Sequence, residues 1–149
     1  MVRVLIVDDH AVVRRGVRAL LQPSPDWEIC GEAENGQDAI RLAEDLKPEI
    51  IIMDLSMPVM NGLQATRAIR QSLPQIKVVL FSLHTSSELV RSIFMAGAQG
   101  YVLKSDAETD LLIALQTVHN NKTYVSPAID PGLVTRVLEQ VQSEGKTPD

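Results

Sequence analysis

The most restrictive feature of the sequence is a short run of consecutive apolar residues, Ile50-Ile51-Ile52-Met53, in which polar and apolar side chains do not alternate. A strand of this kind is covered on both faces, as in a parallel sheet that carries helices on each side. Further apolar, β-rich runs recur along the chain. Together they predict five strands, over residues 2–7, 27–33, 49–53, 76–82 and 100–103.

Helical patterns separate these runs. Apolar residues recur at helical spacing between residues 13 and 21, and Arg14, Arg15 and Arg18 lie on the opposite face of that segment. We interpret these arginines as a solvated helix face or as a surface for an acidic protein partner. Similar patterns predict helices near residues 39–46, 63–70, 89–94 and 111–118. Five βα units in sequence predict an α/β protein with a doubly wound parallel sheet and right-handed crossovers.

The segment after Pro127 differs from the βα units. It holds one amphipathic stretch, whose narrow apolar stripe consists of Leu133, Val134, Val137, Leu138 and Val141. Residues 143–149 have the composition of a linker. We therefore predict a first domain over residues 1–127, followed by a C-terminal linker helix and tail over residues 128–149 that lead toward a domain outside this chain.

Charge and cysteine content restrict the function. The 149 residues include 14 Lys and Arg against 19 Asp and Glu, and the net charge of −5 argues against this chain binding nucleic acid by itself. The one cysteine, Cys30, cannot form an internal disulfide, as is typical of a reducing compartment. No apolar run approaches the ~20 residues of a transmembrane helix, and the N-terminus lacks the pattern of a secretory signal. We expect a cytoplasmic protein without a membrane partner.

Polar residues lie at the ends of the predicted strands, where open α/β sheets bind their ligands. Five of them are Asp8, Asp9, Asp54, Ser82 and Lys104. Three nearby carboxylates repel one another unless a cation neutralises them. An oxygen-only donor set suits Mg²⁺ better than Zn²⁺, and the histidines and the cysteine are scattered along the sequence. The pattern therefore predicts a Mg²⁺ site at one edge of the sheet.

The same residues suit phosphoryl transfer. With Mg²⁺ bound, one carboxylate would be the nucleophile that receives a phosphoryl group, while Lys104 and Ser82 neutralise the charge developing on the transferred oxygens. Each acid taken alone is equally well explained as a helix N-cap or a turn residue. It is the combination of these residue types at strand ends that favours a site.

Four segments of the sequence resemble the receiver domain of bacterial two-component response regulators. They are residues 5–10 (LIVDDH), 53–62 (MDLSMPVMNG), Ser82 and residues 100–104 (GYVLK). The resemblance extends from about Val2 to Pro127, and Asp9, Arg14 and Gly16, together with residues 121–127 (NKTYVSP), are similar to the NarL/LuxR-type transcriptional subfamily. It implies a flavodoxin-like (βα)5 receiver fold with strand order 2-1-3-4-5.

The resemblance implies a metal site and a phosphoacceptor. Asp54 would accept the phosphoryl group. Asp9 would ligate Mg²⁺ directly and Asp8 largely through a water molecule, while Asp54 and the backbone carbonyl of Ser56 would supply further oxygens.

The resemblance also implies how phosphorylation is sensed. Lys104 would pair with the phosphoryl group, and Ser82 would donate its hydroxyl to a phosphoryl oxygen. Tyr101 would be the switch aromatic that turns inward once Ser82 has moved. Ser56 and His84 would flank the phosphoryl group and tune its hydrolysis, although they also fit as exposed loop residues.

A receiver of this type takes its phosphoryl group from a sensor histidine kinase and catalyses only its own modification, so that it is not a turnover enzyme. We expect control of transcription through a helix-turn-helix DNA-binding domain that this chain lacks, and a homodimer formed on phosphorylation is left open. The alternative is a stand-alone receiver that acts through protein contacts. A flavodoxin-like electron carrier is disfavoured because Asp8 and Asp9 would repel a phosphate. An aspartyl phosphatase fits the spacing of these acids poorly.

Overall fold

The structure is a computed structural model, and it describes residues 1–84, 86–129 and 131–144. Within these residues lie the strands β1 (Val2–Val7), β2 (Trp27–Ala33), β3 (Ile50–Asp54), β4 (Lys77–Ser82), β5 (Gly100–Leu103) and β6 (Tyr124–Val125). The helices are α1 (Ala11–Leu21), α2 (Gly36–Leu46), α3 (Gly62–Ser72), α4 (Ser87–Met95), α5 (Ala107–His119) and α6 (Pro131–Glu144). No helix in the described part of the chain is long and apolar enough to cross a membrane.

All strands pair in parallel, in the order β2-β1-β3-β4-β5-β6. The predicted doubly wound α/β fold and the order of its first five strands are confirmed. The predicted count of five strands is corrected to six, because the two residues of β6 pair with Gly100 and Tyr101 of β5. A strand of two residues is too short to produce a periodic pattern in the sequence.

Helices cover both faces of the sheet. One face packs against α1 and α5, and the other packs against α2, α3 and α4, while α6 joins the core cluster of this second face. Every residue of β3 is buried, with Ile51 and Met53 in the first of two core clusters and Ile50 and Ile52 in the second. This two-sided burial is the physical reason for the consecutive apolar residues in β3.

The C-terminal helix α6 packs against α4. Val137 of α6, and Ile129 just before this helix, are buried in the same cluster as Val90 of α4. In addition, Arg91 Nη1 donates to Gln140 Oε1 at 2.9 Å. The predicted amphipathic helix is therefore present. The linker predicted over residues 143–149 is corrected at its start, because Ser143 and Glu144 belong to α6. Asp130, the side chain of Leu133 and residues 145–149 lie outside the described part, and the domain division at residue 127 stays a prediction.

Parallel pairing aligns the strands so that their carboxyl ends lie along one edge of the sheet. Val2 at the start of β1 pairs with Trp27, and Val7 at its end pairs with Ala33. The loops after β1, β3, β4 and β5 therefore meet at a single edge. Trp27, the one tryptophan of the chain, lies at the opposite edge.

Candidate functional site

Asp8 follows β1 directly and is fixed by both its backbone and its side chain. Its N–H donates to the carbonyl of Ala33 at 3.0 Å. The carboxylate is only 2% exposed: Oδ1 accepts from the N–H of His10 at 2.8 Å, and Oδ2 lies 2.9 Å from Lys104 Nζ. A charged side chain this deeply buried requires a partner, and here the partner is an ammonium.

The same ammonium also contacts the carboxylate at the end of β3. Asp54 is 3% exposed, and its Oδ1 lies 3.0 Å from Lys104 Nζ. Lys104 begins the short 3-10 turn Lys104–Asp106 after β5, and its Nζ also lies 5.7 Å from the centre of the Phe81 ring. One cation therefore bridges two buried carboxylates that come from separate strands.

The charges at this edge perturb one another. Burial raises the pKa of the Asp54 carboxyl, and the charge of Asp8 adds to the rise, while the hydrogen bond from Lys104 opposes it. Burial alone would lower the pKa of the Lys104 ammonium, but the hydrogen bonds to Asp8 and Asp54 outweigh burial and the net shift is upward. Lys104 thus stays protonated while Asp54 is held less acidic than an ordinary aspartate.

The donor set fits a divalent metal ion. Asp8, Asp9, His10 and Asp54 each offer one ligand atom, and these atoms lie within 4.8 Å of one another. Three carboxylates against the single ammonium of Lys104 leave a charge of 1 − 3 = −2. Asp9 Oδ1 is buried and accepts no hydrogen bond from the residues that the structure describes, although the His10 ring lies 3.1 Å away. A buried carboxylate oxygen without a hydrogen-bond donor is a suitable ligand for Mg²⁺.

The loop between β3 and α3 places Ser56 beside this cluster. Ser56 is exposed and lines an open cavity that also includes Asp9 and Met57. The loop is closed by the N–H of Gly62, which donates to the carbonyl of Leu55 at 2.9 Å. A side chain at Gly62 would overlap the backbone of Asp54, so glycine allows α3 to begin directly against the end of β3.

Ser82 is the last residue of β4, and Tyr101 lies within the neighbouring strand β5. The Ser82 hydroxyl oxygen accepts from the N–H of His84 at 3.1 Å, and the Tyr101 hydroxyl donates to the carbonyl of His84. Tyr101 is fully buried, and burial raises the pKa of its phenol, partly offset by a hydrogen bond with Ser82. His84 is the residue that connects Tyr101 to Ser82, and the role of Tyr101 as a switch aromatic stays a prediction.

Two features of the β1–α1 segment were not predicted. The arginines of α1 were interpreted as a solvated face or partner surface, but the side chain of Arg14 is only 13% exposed and its Nη1 donates to the carbonyl of Asp8 at 2.6 Å. His10 is the N-cap residue of α1, yet its ring makes no capping bond and instead faces Asp8 and Asp9. Sequence periodicity gives only the face of a helix and does not identify such tertiary partners.

A further unpredicted contact supports the loop that carries Lys104. Ser126, just after β6, is 1% exposed, and its hydroxyl oxygen accepts from the N–H of Leu103 at 2.8 Å. The N–H of Ser126 donates to the carbonyl of Tyr101 at 3.0 Å. These two bonds hold the end of β5 and therefore the start of the turn that presents Lys104.

Asp54→Asn is expected to stabilise the protein near neutral pH in the absence of metal. Because the folded state raises the pKa of Asp54, this group favours folding below the unfolded-state pKa, and that contribution is lost as the pH rises through the folded-state value. An amide of the same shape never ionises, and Lys104 keeps Asp8 as its partner. We expect the Tm to rise by about 3 °C.

The gain in Tm from Asp54→Asn should shrink as the pH falls through the raised folded-state pKa of Asp54, and it should be absent below the ordinary aspartate range, about pH 4. Asp45→Asn, on the exposed face of α2, is the matched control and should leave the Tm unchanged. Thermal unfolding followed by circular dichroism at both pH values measures the effect. A Tm that falls, or a gain independent of pH, would contradict the assigned electrostatics of Asp54.

Comparisons with known proteins agree with this geometry. The profile of the response regulator receiver domain family matches residues 4–116. The transcriptional regulatory protein DegU of Brevibacillus brevis is 34% identical over 143 residues, which are 96% of this chain and 61% of that protein. The response regulator UvrY of Escherichia coli strain K12 is 33% identical over 97% of this chain and 66% of its own length.

Comparison with solved structures also finds a response regulator. The crystal structure of a LuxR-family two-component response regulator from Aurantimonas sp. SI85-9A1 has a TM-score of 0.82 and 32% identity, covering 97% of this chain and 98% of that one. The fold and the acid cluster define a receiver-type α/β protein, and the chain belongs to the response regulator receiver domain family. Within that family its relatives are NarL/LuxR-type response regulators. The chain spans less than two thirds of the length of the DegU and UvrY relatives.

Proposed function

We propose that this chain is a phosphorylation-activated receiver, in which Asp54 accepts a phosphoryl group from a phosphohistidine of a sensor histidine kinase. The observation that carries the proposal is the partly buried ammonium of Lys104, which lies 2.9 Å from the buried Asp8 and 3.0 Å from the buried Asp54, with Asp9 beside them. Burying so many charges together is costly for folding and is characteristic of functional sites.

In the proposed transfer, a carboxylate oxygen of Asp54 forms a bond to phosphorus as the bond between phosphorus and the donor imidazole nitrogen breaks. The electron pair leaves with that nitrogen, which takes up a proton from solvent. The product is an acyl phosphate on Asp54. Attack by water then restores the carboxylate and releases inorganic phosphate, so the chain catalyses only its own phosphorylation and dephosphorylation.

The surrounding residues would bind and orient the reacting groups. Asp8, Asp9, Asp54 and the backbone carbonyl of Ser56 would hold Mg²⁺, which when bound neutralises charge on the transferred oxygens. Lys104 would pair with the phosphoryl group because its ammonium already touches Oδ1 of Asp54. Because the site is partly shielded from water and has a low dielectric constant, this fixed positive charge would stabilise the transferred oxygens more than the same charge would in water.

Ser82 and Tyr101 would report the state of Asp54. The Ser82 hydroxyl would donate to a phosphoryl oxygen, and His84 hydrogen-bonds to both Ser82 and Tyr101 just before α4 begins. Movement of Ser82 would therefore reach Tyr101 and the surface formed by residues 86–119. A two-state element of this kind turns a local change of charge into a change of surface.

We infer that the parent protein acts in the cytoplasm as a transcriptional regulator. Two features support this: the DegU relative is named a transcriptional regulatory protein, and the chain matches only 61% of that relative's length. DNA would be bound through a helix-turn-helix domain beyond residues 128–149, which would serve as the linker helix and tail. A homodimer formed on phosphorylation would fit this role.

The direct test is the intact mass of the protein after incubation with Mg²⁺ and acetyl phosphate as a small phosphoryl donor. We expect one added phosphoryl group on the wild type and on Asp45→Asn, which changes an exposed carboxyl. No addition is expected for Asp54→Ala, or after chelation of the metal.

Beryllium fluoride distinguishes two causes of a negative result. If acetyl phosphate gives no adduct but the protein binds beryllium fluoride in a manner that depends on Mg²⁺ and Asp54, the site accepts phosphoryl groups from its kinase alone. If neither binds, or if Asp54→Ala is still modified, the proposed function is wrong.

A further inference from the structure

Arg14 is a partly buried cation that the proposed chemistry does not use. It lies on α1, and its side chain is 13% exposed. Its guanidinium makes three contacts: Nη1 to the carbonyl of Asp8 at 2.6 Å, Nε to Glu32 Oε1 at 3.1 Å, and Nη2 to Glu34 Oε1 at 3.6 Å. The two glutamates orient the guanidinium plane, and the remaining donor is directed at the backbone between the paired acids.

The carbonyl that Arg14 binds belongs to the peptide that joins Asp8 to Asp9. A peptide unit is planar, so a bond to its oxygen fixes the plane on which both Cα atoms lie. The N–H of Asp8 is already held by the carbonyl of Ala33 at 3.0 Å. Asp8 is thus held by hydrogen bonds on both sides of its Cα, and the directions of both acidic side chains depend on this backbone.

We propose that Arg14 is a positioning residue of the metal site, holding the Asp8–Asp9 peptide so that the two carboxylates point at the same ion. This inference rests on the proposed function, because it requires Mg²⁺ to bind at Asp8, Asp9 and Asp54. Arg14 itself does not touch the metal or the reacting atoms. Its effect passes through one hydrogen bond to the backbone.

Loss of the guanidinium has two effects of opposite sign on Mg²⁺ binding. Removing a positive charge near three carboxylates makes the site more negative and strengthens binding. Freeing the Asp8–Asp9 peptide weakens binding, because the ligands lose their common orientation. Glu32 and Glu34 already pair with Arg14 and balance its charge locally. Weaker binding is therefore the expected net result, and its sign identifies positioning as the cause.

Arg18 provides a matched control on the same helix face. Its Nη2 lies 2.5 Å from Glu32 Oε2, so it shares a glutamate with Arg14 and carries the same charge one turn further along α1. Within the described structure its side chain does not hydrogen-bond to Asp8. Arg18→Ala thus removes a cation and an ion pair with Glu32, but leaves the bond to the Asp8 carbonyl in place.

The experiment measures metal binding and stability on the same samples. Electron paramagnetic resonance of free Mn²⁺, with Mg²⁺ as competitor, gives dissociation constants for the wild type, Arg14→Gln, Arg14→Lys and Arg18→Ala, and circular dichroism gives each Tm. For Arg14→Gln we expect the dissociation constants to rise by about tenfold. Arg14→Lys should bind metal more weakly as well, because lysine lacks the planar fork. Arg18→Ala should bind as the wild type does.

Each other outcome overturns the proposal in a distinguishable way. Unchanged or tighter binding by Arg14→Gln would overturn it, as would an equal loss of affinity in Arg18→Ala. A lowered Tm with unchanged dissociation constants would make Arg14 a structural ion pair only. If Arg14→Gln does not fold, the dissociation constants of Arg14→Lys test the proposal instead, and they overturn it if they do not rise above those of the wild type. A wild type that binds neither ion would instead disprove the metal site itself.

Discussion

Lys104→Met is expected to destabilise the folded chain by about 3 kcal/mol near neutral pH. Methionine keeps most of the length of the lysine side chain but leaves Asp8 and Asp54, which are 2% and 3% exposed, without the ammonium that bridges them. Removing one partner of a buried ion pair leaves an uncompensated charge, and here it leaves two. Urea unfolding of the metal-free protein measures the loss in free energy of unfolding.

The deficit of Lys104→Met should become smaller in acid. Because a protonated carboxyl needs no counter-ion, the penalty falls as the pH drops through the pKa of Asp54, which burial raises above the ordinary aspartate range. Mg²⁺ should restore part of the stability near neutral pH, since an ion that binds only the folded state stabilises it. Lys122→Met, at an exposed position after α5, is the control and should unfold like the wild type.

The same substitution should lower the rate of phosphoryl acceptance from acetyl phosphate by about 100-fold, which is typical for loss of one fixed charge or donor in a transfer site. Intact mass over time measures this rate. A Lys104→Met protein that is as stable as the wild type and is phosphorylated at the same rate would show that the bridging ammonium has neither role.

Gly62→Ala is expected to destabilise the chain by about 3 kcal/mol or more. A Cβ at this position would overlap the carbonyl oxygen of Asp54, and it would lie 2.9 Å from the Cα of Leu55. Both neighbours are backbone atoms, which cannot rotate away as a side chain does. The clash can be relieved only by moving α3 or the end of β3, so phosphoryl acceptance by Asp54 should fall together with the Tm.

Gly16→Ala is the matched control for Gly62→Ala. Gly16 lies inside α1, and a Cβ there would meet nothing within 4 Å. Alanine favours the helix over glycine by about 0.5–1 kcal/mol, so this variant should be slightly more stable than the wild type. Calorimetric Tm values of the two variants should therefore change in opposite directions. Equal effects would show that the contact with Asp54 does not determine the role of Gly62.

The fold could be predicted because its signals are local. Consecutive apolar residues in β3 and helical periodicity in α1 to α5 follow directly from two-sided burial of a sheet. β6 could not be predicted in this way, because two residues have no period. Its pairing comes from tertiary hydrogen bonds, such as that from the N–H of Tyr124 to the carbonyl of Gln99 at 3.1 Å.

The site likewise contains residues that could be predicted from the sequence and residues that could not. Asp8, Asp9, Asp54 and Lys104 could be placed together from the sequence because each lies at or just after the carboxyl end of a strand of one parallel sheet, and the structure brings them together. Arg14 could not be placed at the site from the sequence, because its three contact partners lie six or more residues away along the chain. Its helical neighbours Arg15 and Arg18 also fit the same helical periodicity, so the pattern does not single out Arg14. The placement of α6 against α4 was likewise a matter of tertiary packing, since an apolar stripe does not specify what it contacts.

The position of Trp27 determines what optical spectroscopy can report about this protein. Its indole is the only strong ultraviolet fluorophore of the chain; it is 8% exposed and pairs with Val2 at the start of β1, whereas Asp8 follows the end of that strand. Six residues of strand separate the two by about 20 Å. Intrinsic emission should therefore change when the core opens and remain constant when the acidic edge takes up an ion. A single fluorescence trace thus records folding alone, and occupancy of the acidic edge needs a probe of its own.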